Sequence, residues 1–231
     1  MNASTSPPRP ATSARLIDAQ AITQRHDACL LAPQWPAPTP LPGPADLGHW
    51  IDENHRCNAL LWAQEDLARR TMAPDAEIVA NKRAIDRLNQ QRNDAVERLD
   101  EWLVRALGWV AASAMSGAPS QVMPPTGARL HSESMGSIVD RLSILSLKIR
   151  AVHGLMQRTD DTHAGRDMHA AKWQALQAQR TDLAACLDAL WSDAVAGRAY
   201  FKIYRPFKLY NDPATNPALL AERTRRPGHA P

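Results

Sequence analysis

DAEIVANKRAIDRLNQQRNDAVERLDEWLVRAL, Asp75 to Leu107, reads as one long helix. Stepping about 100° per residue places Ile78, Ile85, Val96, Leu99 and Leu103 on one face, with Leu88 and Ala106 beside them. Inside this helix the run DRLNQQRND, Asp86 to Asp94, interrupts the apolar stripe with amides and charges. Most of that run is a solvated face: Arg83, Arg87, Asp94, Arg98 and Arg105 point away from the stripe. Asp86, Asn89, Asn93 and Asp100 lie along one flank, and Arg92 falls in the middle of the apolar face. A guanidinium at that position needs a partner, because desolvating an unpaired charge costs several kcal/mol or more.

The neighbouring segments carry the same pattern. A helix over about Ala45 to Thr71 has an apolar arc of Trp50, Ile51, Cys57, Leu61, Trp62 and Ala68, with Asn54, Asn58 and Glu65 inside it and His55 and Asp66 at its edge. A fourth helix, within HSESMGSIVDRLSILSLKIRAVHGL, is apolar on two sides, which marks it as central; Ser134 or Ser137 suits its N-cap. Asp140 lies within its second arc, with Arg141 and Lys148 at the edge of that arc. Three helices therefore direct polar groups into a shared interior. The expected ion pair is Arg92, bidentate, to Glu65 or Asp140.

The rest of the chain completes a bundle. A first helix is expected over Ser13 to Leu31, and a fifth over Met168 to Ala196, with Leu176, Leu183, Leu187 and Leu190 at helical spacing. No segment alternates for long with period 2, so the fold class is all-α: one bundle of about five helices around the fourth. Residues 1–14 are rich in Ser, Thr and Pro and are expected to be disordered. The bundle spans 15–210. It is interrupted by a Pro-rich linker at 33–44 with six prolines and by a loop at 111–130, and it is followed by a flexible basic tail at 211–231.

Composition narrows the function classes. The hydrophobic fraction of 44 % suits a globular core, and a net charge of +3 over 231 residues is too small to point to nucleic acid or a membrane surface. Three scattered cysteines, Cys29, Cys57 and Cys186, read as reduced thiols in a cytosolic core. No Cys/His spacing suits zinc, no signal peptide or membrane span is visible, and no residue pattern names a cofactor. Trp62, Trp102, Trp173 and Trp191 are expected in the core. His26, His153, His163 and His169 are expected at the surface or its edge, and His55 is the histidine closest to the polar arc.

All the Phe and Tyr residues fall in YFKIYRPFKLY, Tyr200 to Tyr210. Basic residues interleaved with aromatics make this stretch, within 199–210, either a strap packed on the bundle or a docking surface formed by Lys202, Tyr204, Arg205, Phe207 and Lys208.

NALLWAQEDLAR (Asn58 to Arg69), IDRLNQQRNDAVERLDEWL, GSIVDRLSILSLKI and YNDP together resemble the bacterial family known as domain of unknown function 4254, over about Asp18 to Pro217. The resemblance implies an all-helical protein. Members tend to be encoded beside glycosyltransferases for lipopolysaccharide and related glycans, so it also implies a cytoplasmic role in envelope polysaccharide assembly. It carries over no catalytic residue.

Three functions stay open. The first is a binding protein for a phosphorylated sugar or nucleotide-sugar, with a ligand set of Asn58, Glu65, Asn89, Arg92, Asn93, Asp140 and Arg141. Its arginines would take the phosphate and its amides the hydroxyls. The second is a metal-dependent phosphohydrolase using Glu65, Asp66 and Asp140. The third is an interaction module that docks a glycosyltransferase through the aromatic–basic strap. Beside these stands the purely structural role of a buried network that fixes helix register.

Overall fold

The computed structural model describes residues 16–37, 45–109, 123–158, 163–203, 205 and 212–225. Among them six helices form: α1 (Ala19–Leu31), α2 (Leu47–Ala68), α3 (Asp75–Ala106), α4 (Met135–Met156), α5 (His163–Val195) and α6 (Pro217–Arg225). Local chemistry accounts for their starts. Asp18, Asp46 and Ser134 accept from the backbone N–H of Ala21, His49 and Ser137, and so cap α1, α2 and α4. Asp75 and Glu77 in the first turn of α3 and Arg105 in its last turn both oppose the helix dipole.

The first helix begins at Ala19 rather than near Ser13, because Asp18 caps it there. The fourth begins at Met135, with Ser134, one of the two serines expected to suit its cap, in that place. The fifth extends back to His163. The single Gly165 costs a helix interior only about 1 kcal/mol and does not break a helix of 33 residues. α6 lies within the stretch expected to be a flexible tail, and Asn216 Oδ1 accepts from Ala218 N at its start. Of the proline-rich linker, 38–44 lies outside the described residues, as do 1–14 and most of the 111–130 loop.

α4 is central, as its two apolar arcs require: it packs on α1, α2, α3 and α5. Ile138, Val139, Leu142 and Leu145 share one buried core with Leu99, Leu103 and Val104 of α3 and Leu183, Leu187 and Leu190 of α5. The start of α4 lies hard against α3. A Cβ added at Gly136 would come within 2.8 Å of the Val96 carbonyl oxygen and 2.9 Å of Asp100 Oδ1, so only glycine allows this approach.

A two-residue parallel pair, β1 (Arg129–Leu130) and β2 (Ala199–Tyr200), joins the entry to α4 with the exit from α5. Gly197, at φ +72°, makes the turn between α5 and β2. Beyond β2, Phe201 is fully buried and its ring lies 5.6 Å from that of Trp109. Among the described residues no helix is long and apolar enough to cross a membrane.

Two core expectations fail at the surface. Cys186 is exposed, because α5 turns only its Leu183–Leu187–Leu190 stripe inward. Trp62 is 36 % exposed, because it borders a cleft rather than a helix partner.

Candidate functional site

Asn54, His55 and Asn58 of α2 face Asp140 and Ser143 of α4, and these five side chains form one bonded line. Asn54 Nδ2 and Asn58 Nδ2 each donate to Asp140 Oδ1 at 2.8 Å. Asn58 Nδ2 also lies 3.0 Å from Ser143 Oγ, and Ser143 Oγ lies 2.8 Å from His55 Nδ1. The other ring nitrogen, His55 Nε2, is 3.2 Å from the carbonyl oxygen of His26. A carbonyl only accepts, so the His55 proton sits on Nε2. Nδ1 then accepts from the Ser143 hydroxyl, and Ser143 accepts from Asn58. Every donor along the line has one direction.

Two further rings close the α1 side. His26 stacks on His55 with centroids 4.4 Å apart, and Trp35 stacks on His55 at 5.3 Å. Both histidines are fully buried, unlike the surface or edge positions expected for them. The reason is pairing between α1 and α2, which a single-helix wheel does not register. Burial pushes the His55 pKa down to about 4. It holds His26 well below the usual histidine range, helped by the nearby His55 and Arg180. Neither nitrogen of the His26 ring has a hydrogen-bond partner among the described residues.

Beside this line, α2, α3 and α4 enclose a cleft of about 330 Å³. Asn58, Trp62, Glu65, Asp66 and Arg69 of α2 and Asn89 and Arg92 of α3 line it, over an apolar floor of Leu61, Ile144 and Leu147. Arg92 is 28 % exposed and its Nε stands 4.0 Å from Asp140 Oδ1, too far for a hydrogen bond. Arg92 Nη2 donates to Asn93 Oδ1 at 3.2 Å, while the buried Nε has no hydrogen-bond partner among the described residues.

The bidentate Arg92 pair expected from the wheel is therefore not formed. Asp140 Oδ1 is already taken by two amides, and Glu65 turns outward. Glu65 pairs with Arg69 at 2.6 Å, one helical turn on, with its side chain 46 % exposed. Arg141 leaves the site altogether. It follows Asp140 by one residue, about 100° round the helix, so the two cannot face one cleft. Its Nη1 donates to both oxygens of Glu133 at 2.8 and 2.7 Å. There it lines a second cleft, of about 690 Å³, with Lys148, Asp182 and Cys186.

The structure thus brings together Asn58, Asn89, Arg92 and, behind them, Asp140. Glu65 sits on the rim, Asn93 serves as a partner of Arg92, and Arg141 is elsewhere. The local patterns did not reveal Trp62 as a cleft wall or Ser143 as the link between Asn58 and His55. A serine between Leu142 and Ile144 on a central helix was the available signal for the latter. Among the described residues no group of three or more His, Cys, Asp and Glu side chains is placed to hold a metal ion.

Two acids near α4 and the strap are also engaged within the chain. Asp100 is buried and accepts from Gly136 N at 2.7 Å, and burial pushes its carboxyl up to about 7. Glu101 meets Arg98, Arg105 and Arg205; Arg205 Nη2 donates to its Oε1 at 2.7 Å. Of the candidate docking residues, Arg205 is therefore tied to α3 and Lys202 is exposed. Tyr204, Phe207 and Lys208 lie outside the described residues.

No curated protein and no solved structure shows a significant match to the chain. One family model, described as protein of unknown function (DUF4254), matches residues 48–203. That span holds all of α2 but its first residue, α3 to α5, both clefts and the whole Asn54–Asp140–Ser143 line. The chain belongs to the DUF4254 family.

Proposed function

We propose that the protein is a helical binding protein of the cytoplasm, serving envelope polysaccharide synthesis, and that the α2–α3–α4 cleft takes a phosphorylated sugar. The observation that carries this is the Arg92 guanidinium. Its Nη1 makes no hydrogen bond among the described residues, and its Nε stands 4.0 Å from Asp140 Oδ1, an oxygen already bonded by two amides. A guanidinium at a cleft wall with spare donors suits a phosphate. Asn89 supplies an amide for hydroxyl groups, and the cleft has the mixture of apolar floor and few polar groups usual for small-molecule sites. The glycan setting rests on resemblance, through a family whose members tend to be encoded beside glycosyltransferases.

Hydrolysis of a phosphate ester on a divalent ion has less support. Glu65 is paired with Arg69, and Asp140 Oδ1 is held by Asn54 and Asn58.

A thermal-shift screen against sugar phosphates, nucleotide-sugars and magnesium tests the reading. A ligand present at about 100 Kd adds roughly 2.7 kcal/mol of stability. Stabilisation by sugar phosphates that disappears in Arg92→Ala is expected. No shift with any of them overturns the proposal, and a shift with magnesium alone favours the enzyme.

A further inference from the structure

Trp62 is out of place for a structural residue. It is the largest apolar side chain on the α2 wall of the cleft, and 36 % of it is exposed. Asn58, Trp62 and Asp66 succeed one another every four residues, so they form a row along α2 that faces Asn89 and Arg92 of α3. The Asp66 carboxylate and the Asn89 amide make no hydrogen bond within the described residues. The cleft therefore holds an open aromatic surface flanked by an unused acceptor, an unused amide and a guanidinium with a spare donor.

That combination matches one chemical shape. A pyranose ring has a face of C–H groups, which an indole covers well, and an equatorial edge of hydroxyls, which carboxylates and amides bond. A phosphate on the same ring would complete the match at Arg92. Size separates this from a larger ligand. About 330 Å³ lies at the small end of the roughly 300–1,000 Å³ range of ligand clefts, and so suits one sugar ring with one phosphate rather than a sugar joined to a nucleoside diphosphate.

We infer that Trp62 is the sugar platform of this cleft and that the ligand is a single pyranosyl phosphate. Its ring lies on the Trp62 indole, its hydroxyls meet Asp66 and Asn89, and its phosphate meets Arg92. This rests on the phosphorylated-sugar reading above and narrows it to a class of ligand and a specificity residue.

Calorimetric titration of the full chain tests it, with inorganic phosphate, UMP and the 1-phosphates of glucose, galactose and mannose as probes. At least one hexose 1-phosphate is expected to bind tenfold or more tighter than inorganic phosphate. Trp62→Ala is expected to cut that advantage below threefold while leaving phosphate affinity unchanged, and Trp62→Phe is expected to retain most of it. An advantage that survives in Trp62→Ala overturns the platform. UMP binding tighter than every hexose phosphate overturns the single-ring ligand, because the indole then stacks a base. Phosphate binding that depends on Arg92 without any gain from the sugar sinks this inference alone. Absence of binding by all the probes sinks the reading of the cleft as well.

Discussion

Asn58 Nδ2 stands 2.8 Å from Asp140 Oδ1, Asn54 Nδ2 donates to the same oxygen, and Arg92 Nε stands 4.0 Å from it. A buried network of amides has thus taken the role that the helical wheels assign to an arginine, and the arginine is left facing a cleft.

Asn58→Ala removes a donor from Asp140 and from Ser143 inside the bundle. The expected loss of stability is about 1–3 kcal/mol, read by urea denaturation. Asn58→Asp is expected to cost more, because it sets a second carboxylate against Asp140. A change below about 0.5 kcal/mol in both variants shows that the line does not hold the helices together.

Gly136→Ala is expected to destabilise by about 1–3 kcal/mol, since its Cβ meets the Val96 carbonyl at 2.8 Å and α3 must shift. Gly154→Ala in the same helix meets nothing within 4 Å and is expected to stabilise by about 0.5–1 kcal/mol. Thermal melts of the two variants, moving in opposite directions, check the closeness of the α3–α4 contact.

Asp100 gives the folded protein a carboxyl pKa of about 7, above the ordinary value of 3.8. Between those values the folded state keeps a proton that the unfolded chain releases. The group therefore favours folding most at low pH, and this contribution fades as pH rises to about 7. Asp100→Asn cannot titrate. Relative to the native chain it is expected to gain on the order of 2–4 kcal/mol between pH 5 and pH 8, measured by denaturant unfolding at each pH. A difference that stays constant across that range contradicts the assignment.

His26 and His55 act in the opposite sense. Both are depressed below 6.5 in the fold, so stability is present above that value and falls as pH drops through it toward about 4. His26→Phe keeps a stacked ring and removes two nitrogens that have no partner among the described residues. It is expected to lose less stability than the native chain between pH 7.5 and pH 5, by the same unfolding measurement. An unchanged loss assigns the acid sensitivity to other groups.

Much of this architecture is visible in the periodicity of the chain. α3 follows from the Ile78–Leu103 stripe, the central place of α4 from its two apolar arcs, and its start from Ser134. Asn54 and Asn58 are correctly read as buried, because a short amide inside an apolar arc has nowhere else to go. Long side chains escape such a reading. Glu65, Arg92 and Arg141 sit on three or four rotatable bonds and choose partners four, one and eight residues away, which a wheel centred on Cα does not record. The His26–His55 stack joins residues 29 apart on different helices, and the β1–β2 pair is too short to leave a period-2 trace. Trp62 is hidden for a different reason: its spacing is that of a core residue, and only the gap between α2 and α3 shows that it is not one.

Calorimetric titration of inorganic phosphate and a hexose 1-phosphate into the native chain and Arg92→Ala, with an unfolding curve for each, tests the central claim most directly. An open guanidinium predicts that Arg92→Ala weakens both ligands at least tenfold and changes unfolding by less than about 1 kcal/mol. A buried structural pair predicts the reverse: a loss of roughly 3–5 kcal/mol in stability with no ligand bound by either protein, and that result would contradict the account.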